Sequence, residues 1–181
     1  ALGAYLDKVV TRTRELGLDG LSFSGIPVFG SYTDQAAQKA VASLFIEKFA
    51  AVAGPGKELL LLFEGDPQFL TPADRSKVDY FVLDTKETDN ATDLKLQVLR
   101  ALSAGAVPCN KLLLGAMTEY EFTDEDKGAA DAISALTIRI PEIGPQPLAG
   151  LCIYSVNADY FGAEFIYPLT RQAIQTLNPS K

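Results

Sequence analysis

Five short apolar runs, each separated from the next by enough chain for a helix, constrain this sequence more than any other feature. They read "LSFS" at 21–24, "ELLLLFEG" at 58–65, "DYFVLDT" at 79–85, "KLLLGAMTE" at 111–119 and "GLCIYSV" at 150–156. Near-continuous runs such as "LLLLF" and "FVL" belong to strands covered on both faces; a strand with one wet face would alternate. The intervening segments have helical periodicity: Leu2 to Leu16, Asp34 to Val52, Pro72 to Val78, Asp93 to Ala104, Asp124 to Leu136 and Ala158 to Leu177. Their ends are well marked. Gly17, Gly54 and Gly105 stand at C-cap positions, and "TPAD" at Thr71 and "TDED" at Thr123 supply N-caps with acids in the first turn. The pattern predicts a parallel sheet of successive βα units in an α/β fold.

No linker or low-complexity tract interrupts residues 1–181, so the chain reads as a single domain. A proline-rich loop, "IPEIGPQP" at 140–147, precedes the last strand. Two architectures fit: part of a (β/α)8 barrel of the TIM type, or an open five-stranded doubly wound parallel sheet. Both place function at the C-terminal ends of the strands. Those ends carry Ser24, Glu64, Asp84, Glu119 and Asn157. No GxGxxG or GxxxxGK[ST] loop follows any strand, which argues against a phosphate-cradling nucleotide site. Tyr154, Asn157, Tyr160 and Phe161 cluster at the end of the last strand. They read either as an aromatic and amide platform for a sugar, or as ordinary helix-start chemistry with Asn157 as the N-cap of "ADYFGAEF".

Charge and composition narrow the function. With 16 basic against 23 acidic residues the net charge is −7, which repels phosphate backbones and anionic lipid. Nucleic acid is therefore not an expected partner, and a neutral or cationic one fits better. No apolar run is long enough for a transmembrane helix, and no signal peptide is visible. The absence of histidine removes Ser-His-Asp and Cys-His catalysis and the commonest zinc ligand together. Cys109 and Cys152 lie far apart without a CxxC, and read as two buried thiols rather than a metal or redox site. Neither a metal nor a cofactor is implied.

The strand-end segments carry a resemblance. "LGLDGLSFSGI" resembles the signature of family 18 glycoside hydrolases, in which one barrel strand reads D-G-x-D-x-D-x-E. "LLLLFEGDPQFL" and "KVDYFVLDTKE" look like the fifth and sixth barrel strands of the endo-β-N-acetylglucosaminidase-like branch found in Bacteroidetes. "VPCNKLLLGAMTE" and "LAGLCIYSVNADY" look like its seventh and eighth. The resemblance implies a TIM barrel of which this chain supplies about the last five βα units. It also implies substrate-assisted hydrolysis: a glutamic acid protonates the glycosidic oxygen, and the N-acetyl carbonyl of the substrate attacks the sugar carbon.

The chain departs from that signature at the chemistry itself. Asp19 and Gly20 match the start of the motif, while Ser22, Ser24 and Ile26 occupy its three acidic positions. On a strand these three share one face, so all would point into the barrel mouth. Ile26 cannot donate a proton, and neither serine supplies a negative charge to an oxazolinium-like intermediate. After the sixth strand, where the branch reads Q-x-Y, this chain has Asp84, Thr85 and Lys86, so the tyrosine that holds the acetamido group is missing. Loss of the glutamate alone would leave two aspartates in a semi-buried pocket, a costly pair; here all three positions are uncharged.

The resemblance thus implies a glycan cleft without hydrolysis, with oligosaccharides containing N-acetylglucosamine, such as N-glycans, as partners. Candidate ligand-binding residues are Ser24, Glu64, Asp84, Glu119, Tyr154, Asn157 and Tyr160. Two alternatives stay open: a glycosidase with Asp84, Glu64 or Glu119 as relocated acid and base, and a structural domain without ligand. A surface or periplasmic glycan-uptake setting is implied by the resemblance alone. A complete barrel needs at least about 200 residues, so this reading expects a missing N-terminal portion or a second chain beside "LSFS".

Overall fold

The computed structural model describes residues 2–24, 35–85, 91–103, 107–117, 148–154 and 168–177. Helix α1 (Leu2–Glu15) leads into strand β1 (Gly20–Ser24), followed by α2 (Gln35–Phe49), β2 (Leu60–Glu64), α3 (Pro72–Arg75) and β3 (Tyr80–Leu83). Then come α4 (Ala91–Ser103), β4 (Leu112–Met117), β5 (Gly150–Tyr154) and α5 (Pro168–Leu177). Short 3-10 turns at Pro67–Phe69 and Cys109–Lys111 precede α3 and β4. The predicted helix over 124–136 and the loop over 140–147 lie outside the described residues.

The strand order is β1-β2-β3-β4-β5, the order of the sequence itself. β1 runs parallel to β2, and β4 parallel to β5. A doubly wound sheet reverses direction at a switch point and so never lists its strands in sequence order. A (β/α) barrel adds each strand beside the last. The topology is therefore that of part of a (β/α) barrel, and the open doubly wound alternative is set aside. By contacts along the chain the molecule divides into two units, Ala1–Phe81 and Val82–Lys181.

In the first unit α1 ends where the sequence predicts, whereas α2 and α3 end three residues short of Val52 and Val78; Gly54, expected as a C-cap, instead donates its N–H to the Leu59 carbonyl, and Gly105 lies outside the described residues. α1 buries Leu6, Val10 and Thr13 at helical spacing. It stops in a Schellman motif: Gly17 adopts φ 63°, its N–H donates to the Arg14 carbonyl, and the Leu18 N–H donates to the Thr13 carbonyl. α2 buries Ala42, Ile46 and Phe49. Against it stands the outward face of β1 and β2. Phe23 stacks on Phe45 with ring centroids 5.0 Å apart and meets Phe63 at 5.9 Å, and Phe63 meets Phe81 edge-on at 6.3 Å. β3 is locked to β2 at its start, because the Asp79 N–H donates to the Leu61 carbonyl while Asp79 Oδ2 accepts the Leu61 N–H.

The helix layer of this unit closes around one carboxylate. Thr71 caps α3 by accepting the Asp74 N–H, and its hydroxyl donates to Asp74 Oδ2 at 2.6 Å. Ser43 on α2 donates to the same oxygen at 2.6 Å, and Lys77 Nζ lies 3.3 Å from Oδ1. Burial by itself would raise the Asp74 pKa, but the bonds from Ser43, Thr71 and Lys77 and the Lys77 charge outweigh it and hold the carboxyl below its ordinary value.

One expectation about the strands changes. The run "LLLLF" predicts cover on both faces, yet Leu61 and Phe63 are buried while Leu60 is 42% exposed and Leu62 half-buried. Leu60 and Leu62 face away from the α2 side of the sheet, and hydrophobic sequence alone does not say which face receives the helices. In the second unit, Leu112, Leu114 and Ala116 of β4 are buried together with Leu94, Val98 and Ala101 of α4. Cys109 is buried, as expected, whereas Cys152 is only half-buried; both are thiols. No helix among the described residues is long and apolar enough to cross a membrane.

Candidate functional site

Alternation along β1 fixes which side chains reach the open face. Leu21 and Phe23 point into the core, and Ser22 and Ser24 are exposed on the opposite face. The parallel register sets Ser22 beside Leu62 and Ser24 beside Glu64. The C-terminal edge of the first unit therefore presents two hydroxyls and one half-buried carboxylate side by side on neighbouring strands. Ile26 lies outside the described residues. Immediately beyond Glu64, Asp66 turns the chain: its Oδ1 accepts the Gln68 N–H and caps the turn at Pro67–Phe69.

The second unit supplies Asp84 and Tyr154. Asp84 is exposed, one residue past the end of β3. Its neighbour Thr85 is 1% exposed, and its Oγ1 donates to the Gly115 carbonyl on β4 at 2.7 Å. Tyr154 ends β5, half-buried, in register with Met117. Its ring leans back across Gly115, so that a Cβ placed on that glycine would lie 3.1 Å from Tyr154 Cε2. Glu119, Asn157, Tyr160 and Phe161 lie outside the described residues, as does Lys86.

Gly115 was not among the residues singled out from the sequence, and Thr85 entered only as an occupant of the segment after the sixth-strand run. The signal for Gly115 was present: a glycine inside the apolar run "LLLGAM" marks a close approach by another group. Thr85 carried no such signal, because its partner is 30 residues away. Among the described residues, the carboxylate held below its ordinary pKa, Asp74, belongs to the helix layer and is satisfied by hydroxyls and a lysine. Among the described residues no group of His, Cys, Asp and Glu could hold a metal ion.

Serine hydroxyls both donate and accept hydrogen bonds but do not act as acids near neutral pH. The described positions of β1 thus offer hydroxyl donors and acceptors and carry no carboxyl group.

The chain matches the family described as glycoside hydrolase family 18, BT1044-like, over residues 1–176. No curated protein sequence matches it. Among solved structures, it is similar to a BT1044 variant with a TM-score of 0.68 at 16% identity, over 98% of this chain and 59% of that one. It is equally similar to an endo-β-N-acetylglucosaminidase of Cordyceps militaris, with a TM-score of 0.68, 16% identity, and 98% and 62% of the two chains covered. A catalytic domain 2 variant of the Group II chitinase of Ostrinia furnacalis, in complex with penta-N-acetylchitooctaose, matches with a TM-score of 0.57 at 14% identity, over 96% and 70% of the chains. The chain thus spans about three-fifths of the first two structures' length.

Proposed function

This chain belongs to glycoside hydrolase family 18, in its BT1044-like group, and from that premise we propose that it binds carbohydrate without cleaving it. The observation that carries the reading is the exposed pair Ser22 and Ser24 on β1, at two of the positions where the family motif has acids. A substrate-assisted hydrolase needs a proton donor for the leaving oxygen and a negative charge to steady the cationic intermediate. The two hydroxyls provide neither, but they retain hydrogen-bonding capacity on the face where a sugar would lie.

The ligand class we propose is glycans containing N-acetylglucosamine, N-glycans among them. Two kinds of support exist: similarity to an endo-β-N-acetylglucosaminidase and to a chitinase domain holding a chito-oligosaccharide, and a net charge of −7 that favours uncharged ligands over anionic ones. The setting that accompanies the proposal is the cell surface or periplasm, which fractionation of the producing cell would test.

Isothermal titration of the chain with a high-mannose N-glycan and with chito-oligosaccharides is the direct test. Saturable binding without release of new reducing ends is expected. Release of reducing ends that is abolished by Glu64→Gln or Asp84→Asn would replace the proposal with an active hydrolase using relocated acids. No binding to either glycan class would leave a structural role.

A further inference from the structure

The second unit holds a contact that the motif positions do not explain. Gly115 sits inside β4, between Leu114 and Ala116, both of which are buried on the opposite face. Three groups crowd the space where its side chain would be: the Leu83 carbonyl oxygen at 3.0 Å, Tyr154 Cε2 at 3.1 Å and the Thr85 N–H nitrogen at 3.4 Å. Two of these are backbone atoms at and just beyond the end of β3. The third is the edge of an aromatic ring, which can rotate.

The same glycine is held from its carbonyl. Thr85, 1% exposed, donates its hydroxyl to that oxygen at 2.7 Å. The backbone at 115 is therefore pinned on one side, and the edge of the Tyr154 ring lies 3.1 Å from where a Cβ would stand. No positive φ accompanies this glycine, so backbone freedom is not the reason a glycine is needed there. The room it leaves is shared by the Leu83 carbonyl of β3 and the edge of the Tyr154 ring.

We propose that Gly115 is a positioning residue for Tyr154: the missing side chain sets the tilt of the tyrosine ring at the end of β5, and that tilt presents the aromatic face against which a sugar ring stacks. The inference rests on the carbohydrate-binding reading above. It assigns to Gly115 and Thr85 no contact with the ligand. Gly115 acts through Tyr154, and Thr85 acts by holding Gly115.

The physical prediction is specific. A methyl group at 115 crowds both the Leu83 carbonyl oxygen and the ring edge, and of the two only the ring can turn away without moving the sheet. Aromatic contacts depend on offset and angle, and a turned ring keeps its area while losing its alignment with the sugar.

The test labels the protein with 3-fluorotyrosine and assigns the Tyr154 resonance by its disappearance in Tyr154→Phe. Gly115→Ala and Thr85→Val are then compared with the wild type by fluorine NMR, by thermal melting and by titration with chitotetraose. The expected result is a displaced Tyr154 resonance in Gly115→Ala, and affinity for chitotetraose weakened about tenfold in a protein that still melts cooperatively. Thr85→Val should move the same resonance in part. An unmoved resonance in Gly115→Ala overturns the positioning role, and so does a displaced resonance with unchanged affinity. Failure of the wild type to bind either chitotetraose or a high-mannose glycan would instead overturn the carbohydrate reading. That outcome is read from the wild-type titration and is separate from the NMR result.

Discussion

Ser24 on β1 stands directly beside Glu64 on β2 in the parallel ladder, so a hydroxyl, not a second carboxylate, is the lateral neighbour of this strand-end acid. Neighbouring strands are only about 4.8 Å apart. A carboxylate at position 24 would bring two like charges together at the edge of the first unit.

Restoring an acid at that position should therefore cost stability. Ser24→Asp is expected to lose about 1 kcal/mol at pH 7, the scale of a like-charge cross-strand pair. Urea denaturation of wild type and variant at pH 7 checks this. Under the proposed non-catalytic reading, Ser24→Asp should release no reducing ends from chito-oligosaccharide, because an aspartate at 24 leaves Ile26 at the position of the proton donor.

Asp74 gives the fold an acid-sensitive joint. Its folded-state pKa lies below the ordinary value of 3.8 because hydroxyls and Lys77 favour the ionised form. The depressed value fixes the sign: the contribution is complete above the unfolded-state pKa and is lost as pH falls through the folded-state pKa. Wild type should lose urea stability as pH falls below the ordinary value of 3.8 more steeply than Asp74→Asn. At neutral pH the variant should be weaker by about 1–3 kcal/mol, since Lys77 loses its charged partner and the hydroxyls of Ser43 and Thr71 lose a charged acceptor.

Phe63 joins the aromatic row, meeting Phe23 at 5.9 Å and Phe81 at 6.3 Å while 1% exposed. Phe63→Ala should cost about 3–5 kcal/mol, whereas Phe63→Leu should cost less because it leaves a smaller cavity. Chemical denaturation followed by circular dichroism would measure both.

Thr85→Val keeps the shape of the side chain and removes the hydroxyl that donates to the Gly115 carbonyl at 2.7 Å. A loss of about 1 kcal/mol is expected from the missing hydrogen bond. Thr85→Ser should restore most of it, and comparison of the melting temperatures decides the point.

Much of this architecture was legible because it is written locally. The five strands fall within two residues of the apolar runs that announce them. Gly17 and Thr71 end and begin helices through groups only a few residues away. The common face of Ser22 and Ser24 follows from the two-residue period of any strand. Local signals also placed Glu64, Asp84 and Tyr154 at or next to strand ends.

Tertiary structure decided what depends on distant partners. Sequence left the barrel and the doubly wound sheet both open, because strand order is set by pairings between residues some 40 positions apart, such as Ser24 with Glu64. Asp74 reads in sequence as an ordinary first-turn acid, and it becomes a buried junction only when Ser43, 31 residues away, arrives on α2. Leu60 and Phe63 are equally apolar in the sequence, yet the packing of α2 buries one and leaves the other 42% exposed. Sequence by itself determined where each backbone segment could form regular hydrogen bonds, and which side chains share a face. The closing of long loops, whose entropy only packed contacts can offset, decided which faces are filled, and so gave Gly115 the ring of Tyr154 as its neighbour.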